Sequence, residues 1–128
     1  MAFNTDNAST SMTQKSAAPQ FAVGTVTFDG SITATDSYLA NVGFTPRYVK
    51  FFNITDQIAV EWIEGMTANN CLKSAAAGTN TTETTNGGIT ICDADGTANT
   101  AGNSFSVLQN ATLAVIAASK VCYWIAMG

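Results

Sequence analysis

The chain has 128 residues, with five Lys and Arg against nine Asp and Glu, no His, and a formal charge of −4. That length suits one domain with a core large enough to need no covalent staples. No basic patch exists to hold nucleic acid, no apolar run reaches membrane-spanning length, and without imidazole the ordinary Ser-His-Asp and Cys-His catalytic arrangements are excluded.

Charged residues make up only 11% of the chain, against about 25% in ordinary globular domains. Thr, Ser, Asn and Gly fill the gap, and they suit strands and turns better than helix interiors. The composition therefore predicts an all-β protein with a hydroxyl-rich surface.

Residues 1–20 form a separate zone rich in Ser, Thr, Asn, Ala and Gln. Beyond Met1, Phe3 and Met12 are its large apolar residues. We read it as a flexible polar N-terminal arm ahead of a β domain over residues 21–128. Such an arm either frays or orders on a partner. It lacks the cationic start and apolar stretch of a signal peptide, so synthesis in a cytoplasm, with retention or assembly there, is expected.

Phe21 to Thr35 reads as a first hairpin turning at Asp29-Gly30, a favoured type I′ pair. Asp36 to Val42 reads as a connection or a short helical turn, with Tyr38 and Leu39 tucked under the sheet. Gly43 to Met66 carries the strongest pattern. Arg47, Val49, Phe51 and Asn53 alternate with Tyr48, Lys50, Phe52 and Ile54; then Ile58, Val60 and Trp62 alternate with Ala59, Glu61 and Ile63. Period-two patterning with aromatic and β-branched residues predicts two strands. Thr55-Asp56-Gln57 lacks a type I′ pair, so the loop is expected to exceed two residues.

Thr67 to Lys73 reads as a loop around Asn69-Asn70 with Leu72 as an anchor. Thr79 to Thr85 reads as a solvated edge strand, blunted by Glu83. Ile89 to Cys92 reads as a short strand with Ile89 and Ile91 on one face, and Asp93 to Asn103 as a loop. Phe105 to Leu108 resumes a strand, and Asn110 to Ser119 is read as strand and turn. Lys120 to Ala126 reads as a closing strand. It is apolar on both faces, as expected of a strand covered on both sides by its own sandwich or by a neighbouring subunit. The fold expected is a single-domain antiparallel β-sandwich or jelly roll.

Few residues invite chemistry. Asp93-Ala-Asp-Gly96 begins like a calcium loop, but its sixth and twelfth positions are Ala98 and Ser104, so an Asx turn is the better reading. Glu61 and Glu64 sit three apart on one strand and face opposite sides, which does not build a paired-acid site. Cys71, Cys92 and Cys122 are an odd count among apolar neighbours and read as buried thiols. No metal, no cofactor and no enzymatic activity are expected. Trp62 and Trp124 suit core or subunit contacts, with sugar stacking as the alternative.

The stretch Gly43-Phe-Thr-Pro-Arg-Tyr-Val-Lys, with Asn53-Ile-Thr-Asp and Trp62-x-x-Gly-Met66, resembles small tailed-phage and prophage virion proteins. The similarity continues through Leu72-Lys73, Ala77-Gly78-Thr79, Gly87-Gly88-Ile89-Thr90 and Tyr123-Trp124-Ile125-Ala126. These are hydrophobic and turn residues, not catalytic ones. The resemblance implies a capsid cement or decoration protein on the virion surface. Its partners would be the major capsid protein and its own copies, with a trimer favoured, and neither nucleic acid nor membrane. Phe3, Met12, Trp62, Tyr123 and Trp124 are the interface residues expected. A tail-fibre or receptor-binding module holding host carbohydrate is the alternative.

Overall fold

The computed structural model describes residues 20–28, 37–68, 70–84, 88–108 and 119–128. Nine strands and no helix occur among them: β1 (Phe21–Phe28), β2 (Ser37–Asn41), β3 (Tyr48–Asn53), β4 (Ile58–Ile63), β5 (Cys71–Ser74), β6 (Asn80–Glu83), β7 (Ile89–Cys92), β8 (Ser104–Leu108) and β9 (Lys120–Met127). They form two antiparallel sheets, one ordered β1-β9-β3-β4-β5-β6 and the other β2-β8-β7. The chain is an all-β sandwich.

The central hairpin sets the geometry. Val49 pairs with Trp62 and Phe51 with Val60, so these side chains share one face of the large sheet. All are buried. The connecting loop spans the four residues Ile54 to Gln57 and closes with Gln57 at a φ of 59°. Asn53, fully buried, organises it. Its Oδ1 accepts from the Asp56 amide at 3.1 Å and its Nδ2 donates to the Asp56 carboxylate at 2.8 Å. Lys120 Nζ binds the same carboxylate at 2.9 Å, and the Val121 amide donates to Thr55 Oγ1 at 3.0 Å. The turn is thereby tied to the start of β9.

β9 runs between β1 and β3, pairing in register with both. Its Cys122, Trp124 and Ala126 face the small sheet, where Ile89, Ile91, Phe105 and Val107 complete the core. Burying a side chain such as Phe51 or Phe105 contributes about 1.5–3 kcal/mol. Trp124 meets Phe105 edge-on at 5.1 Å, and its Nε1 donates to Tyr38 Oη at 3.1 Å. Tyr38 also packs its ring against Phe28 and Phe51. Gly24 lies opposite Trp124 on β1, and a Cβ there would stand 2.5 Å from the indole ring. Glycine is what lets the indole seat against β1.

Several expectations are corrected. Ser37 to Asn41 is a strand, held by pairing to β8, and not a connection or helical turn. Cys71 to Ser74 is likewise a strand, paired to β4 and β6. Its Leu72 is 42% exposed on the outer side and anchors nothing inward. Asn80 to Glu83 is the edge strand expected. The polar arm, the Asp29-Gly30 turn with its returning segment, and the segment before Ser119 lie outside the described residues.

Candidate interaction surface

Side chains alternate across a strand, so whatever does not enter the core from the large sheet points away from it. On β3 and β4 those residues are Tyr48, Lys50, Phe52, Ala59, Glu61 and Ile63. Pairing across β9 and β1 continues the rows. Tyr48 meets Met127 and then Phe21; Lys50 meets Ile125 and then Val23; Phe52 meets Tyr123 and then Thr25.

This outer face collects the exposed large hydrophobics of the described residues. Phe21, Val23, Ile54, Ile63, Leu72, Tyr123 and Met127 are the exposed large hydrophobics among the described residues. By strand parity six of them lie on it, and Ile54, in the turn after β3, borders the same face beside Lys50, Phe52 and Ala59. Phe21 and Val23 are the most open, at 69% and 66%.

At its centre Tyr123 stacks on Phe52 with ring centroids 5.9 Å apart. Lys50 Nζ lies 5.9 Å from the Phe52 ring and 3.9 Å from the Glu61 carboxylate. Tyr48 Oη donates to Glu61 at 2.8 Å. Partial burial, then the Glu61 hydrogen bond and the Glu61 charge, push the Tyr48 hydroxyl up to about 12. Lys50 and Glu61 stand opposite each other in register and, among the described residues, are the only charges that parity directs outward from this sheet, so the described face is neutral. A groove of about 510 Å³ runs along it, lined by Val23, Thr25, Phe52, Tyr123 and Ile125.

The other sites named from the sequence have local explanations. Glu64 pairs with Arg47, while Glu61 serves Tyr48 and Lys50, so the two acids do not act together. In the 93–103 loop Asp95 accepts from the Thr97 amide at 3.0 Å and Asp93 from Asn99 Nδ2 at 2.9 Å. Hydrogen bonding from Thr97 holds the Asp95 carboxyl below its ordinary range. These are turn interactions. Cys71, Cys92 and Cys122 are all buried, and burial pushes the thiols of Cys71 and Cys122 up to about 12. Among the described residues no three His, Cys, Asp or Glu converge on a metal-sized site.

Of the interface residues expected, Tyr123 lies on the outer face at 41% exposure. Trp62 and Trp124 are inner-face residues, 6% and 9% exposed, and belong to the core. Their parity with Val60 and Cys122 turns them away from any outer partner. Phe3 and Met12 lie outside the described residues. Reasoning from the sequence missed Phe21, Val23, Ile54, Ile63 and Met127. Their signal was the apolar character of both faces of β9, which needed the register of β1 and β3 to become a surface.

Compared with protein-family models, curated proteins and solved structures, the chain matches none.

Proposed function

We propose that this protein is a structural component of a bacteriophage head, a decoration protein that seats on the shell of major capsid protein as an oligomer and stabilises it. The observation that carries this reading is the outer face of the large sheet, where every exposed large hydrophobic of the described residues is gathered. Contiguous apolar patches of that kind mark surfaces that are covered in the working state. The phage-like motifs of the central hairpin and closing strand supply the kind of assembly. A stiff two-sheet body with a neutral apolar face suits repeated contacts in a shell, because such contacts are little screened by salt.

Quantitative mass spectrometry of purified virions tests the reading. A copy number comparable to the major capsid protein is expected. Absence from the particle would overturn it. The stacked Tyr123 and Phe52 beside the groove favour one alternative, a tail module that lays a sugar face on the aromatic pair. That alternative predicts only a few to a few dozen copies per virion, and a tyrosine-region absorbance change on titration with host polysaccharide.

A further inference from the structure

We propose that the outer face of the six-stranded sheet is where copies of this chain associate, packing sheet against sheet around Tyr123. The inference rests on the reading of the protein as an assembling component and names the surface that assembles it.

The first support is composition. Homomeric interfaces are more apolar than transient ones, enriched in aromatic residues and Met and poor in unpaired charge. This face presents Phe21, Val23, Ile63, Tyr123 and Met127, and its one Lys and one Glu neutralise each other in place. An acidic chain of charge −4 would select a different protein most simply through charge complementarity, and here the face offers none. A second copy brings the same neutral face.

The second support is shape. The face holds both a groove of about 510 Å³ and projecting side chains, with Phe21 at 69% and Ile63 at 58% exposure. Hollow and projection on one surface are what self-complementary packing requires. The third is extent. The seven exposed side chains leave on the order of 700 Å² of apolar surface, close to the roughly 800 Å² that each partner contributes to a standard interface.

The test is sedimentation equilibrium on the full chain and on a double variant, Val23→Glu with Ile63→Glu. Both positions are more than half exposed, so the monomer fold tolerates the change. Wild type is expected at twice the chain mass of 13.3 kDa or more, and the variant at the chain mass. The dissociation constant should rise at least about 100-fold, since each copy would bury two unpaired carboxylates. Circular dichroism of the variant should remain that of a β-sandwich, separating lost association from lost folding. A wild-type monomer at about 100 μM would overturn the proposal. So would a folded variant that still associates. A monomer that becomes oligomeric when residues 1–19 are removed would overturn it too, by giving the face to those residues. Virion copy number is independent of all these outcomes. An abundant monomeric virion protein would sink this inference alone, and an oligomer missing from virions would sink the functional reading alone.

Discussion

Replacing Gly24 with Ala adds one methyl group and should be costly. The Cβ would stand 2.5 Å from Trp124 ring atoms, well inside contact distance, so the indole must move. It has little freedom to do so. Phe105 meets it edge-on at 5.1 Å and Tyr38 holds its Nε1 at 3.1 Å. Overpacking of this kind costs about 1–3 kcal/mol. Displacing the indole also forfeits a hydrogen bond of about 1 kcal/mol and a ring contact of about 0.5–1.5 kcal/mol. Against these stands a gain of about 0.4–1 kcal/mol from a less flexible unfolded chain. The net expectation is a loss of about 3 kcal/mol. Urea unfolding of dilute protein, followed by tryptophan emission, should show a lower midpoint at unchanged slope. Pairing Gly24→Ala with Trp124→Phe should recover about 1 kcal/mol or more as coupling, since the smaller ring leaves room for the methyl. A neutral or stabilising Gly24→Ala, or a double variant that is simply additive, would refute the seating of the indole against β1.

Asn53→Ala should cost about 2–3 kcal/mol by urea unfolding, because it removes the two hydrogen bonds that this buried side chain makes to Asp56. A change below about 0.5 kcal/mol would mean the turn holds itself. The Asp56 carboxyl is held below its ordinary 3.8 by the hydrogen bonds from Lys120 and then Asn53. Its contribution is therefore present above pH 3.8 and lost as pH falls through the lower folded value. Asp56→Asn should flatten the acid limb of the stability profile, and an unchanged limb would remove that carboxyl from the account. The thiols of Cys71 and Cys122 sit at about 12 against an ordinary 9.0. The unfolded chain gives up these protons first, so stability is complete below pH 9.0 and falls as pH rises from there towards 12. A Cys→Ala series should lessen that fall, and an aromatic disulfide reagent should label neither thiol until the protein unfolds. Rapid labelling of the native protein would contradict their burial.

The parts legible in the sequence are those in which local pattern and tertiary need agree. Val49, Phe51, Val60 and Trp62 read as one face because period-two burial is a local signal, and a loop longer than two residues followed from the missing Asn-Gly or Asp-Gly. The polar edge strand at Asn80 was equally plain. Ser37 to Asn41 was not, since Ser-Tyr-Leu-Ala-Asn has no alternation of its own and becomes a strand through β8. Cys71 to Ser74 was masked by the two asparagines before it. Half of the surface on which the functional reading rests was visible as apolar residues on both sides of β9. The rest depended on β1 lying beside β9, a pairing between residues roughly a hundred positions apart that leaves no local trace.

The threading of β9 between β1 and β3 also fixes an order of events during synthesis. β1 leaves the ribosome first of the nine strands and β9 last, yet β9 joins β1 to the rest of the large sheet. Until residues 120–127 have emerged, the backbone edges of β1 and β3 that β9 joins lack that strand as a partner. The nascent chain must therefore carry exposed strand edges through most of its translation, the condition in which β proteins mispair. Completion by one late, central strand makes assembly of the large sheet a single closing step. It also keeps the outer apolar face unfinished until that step.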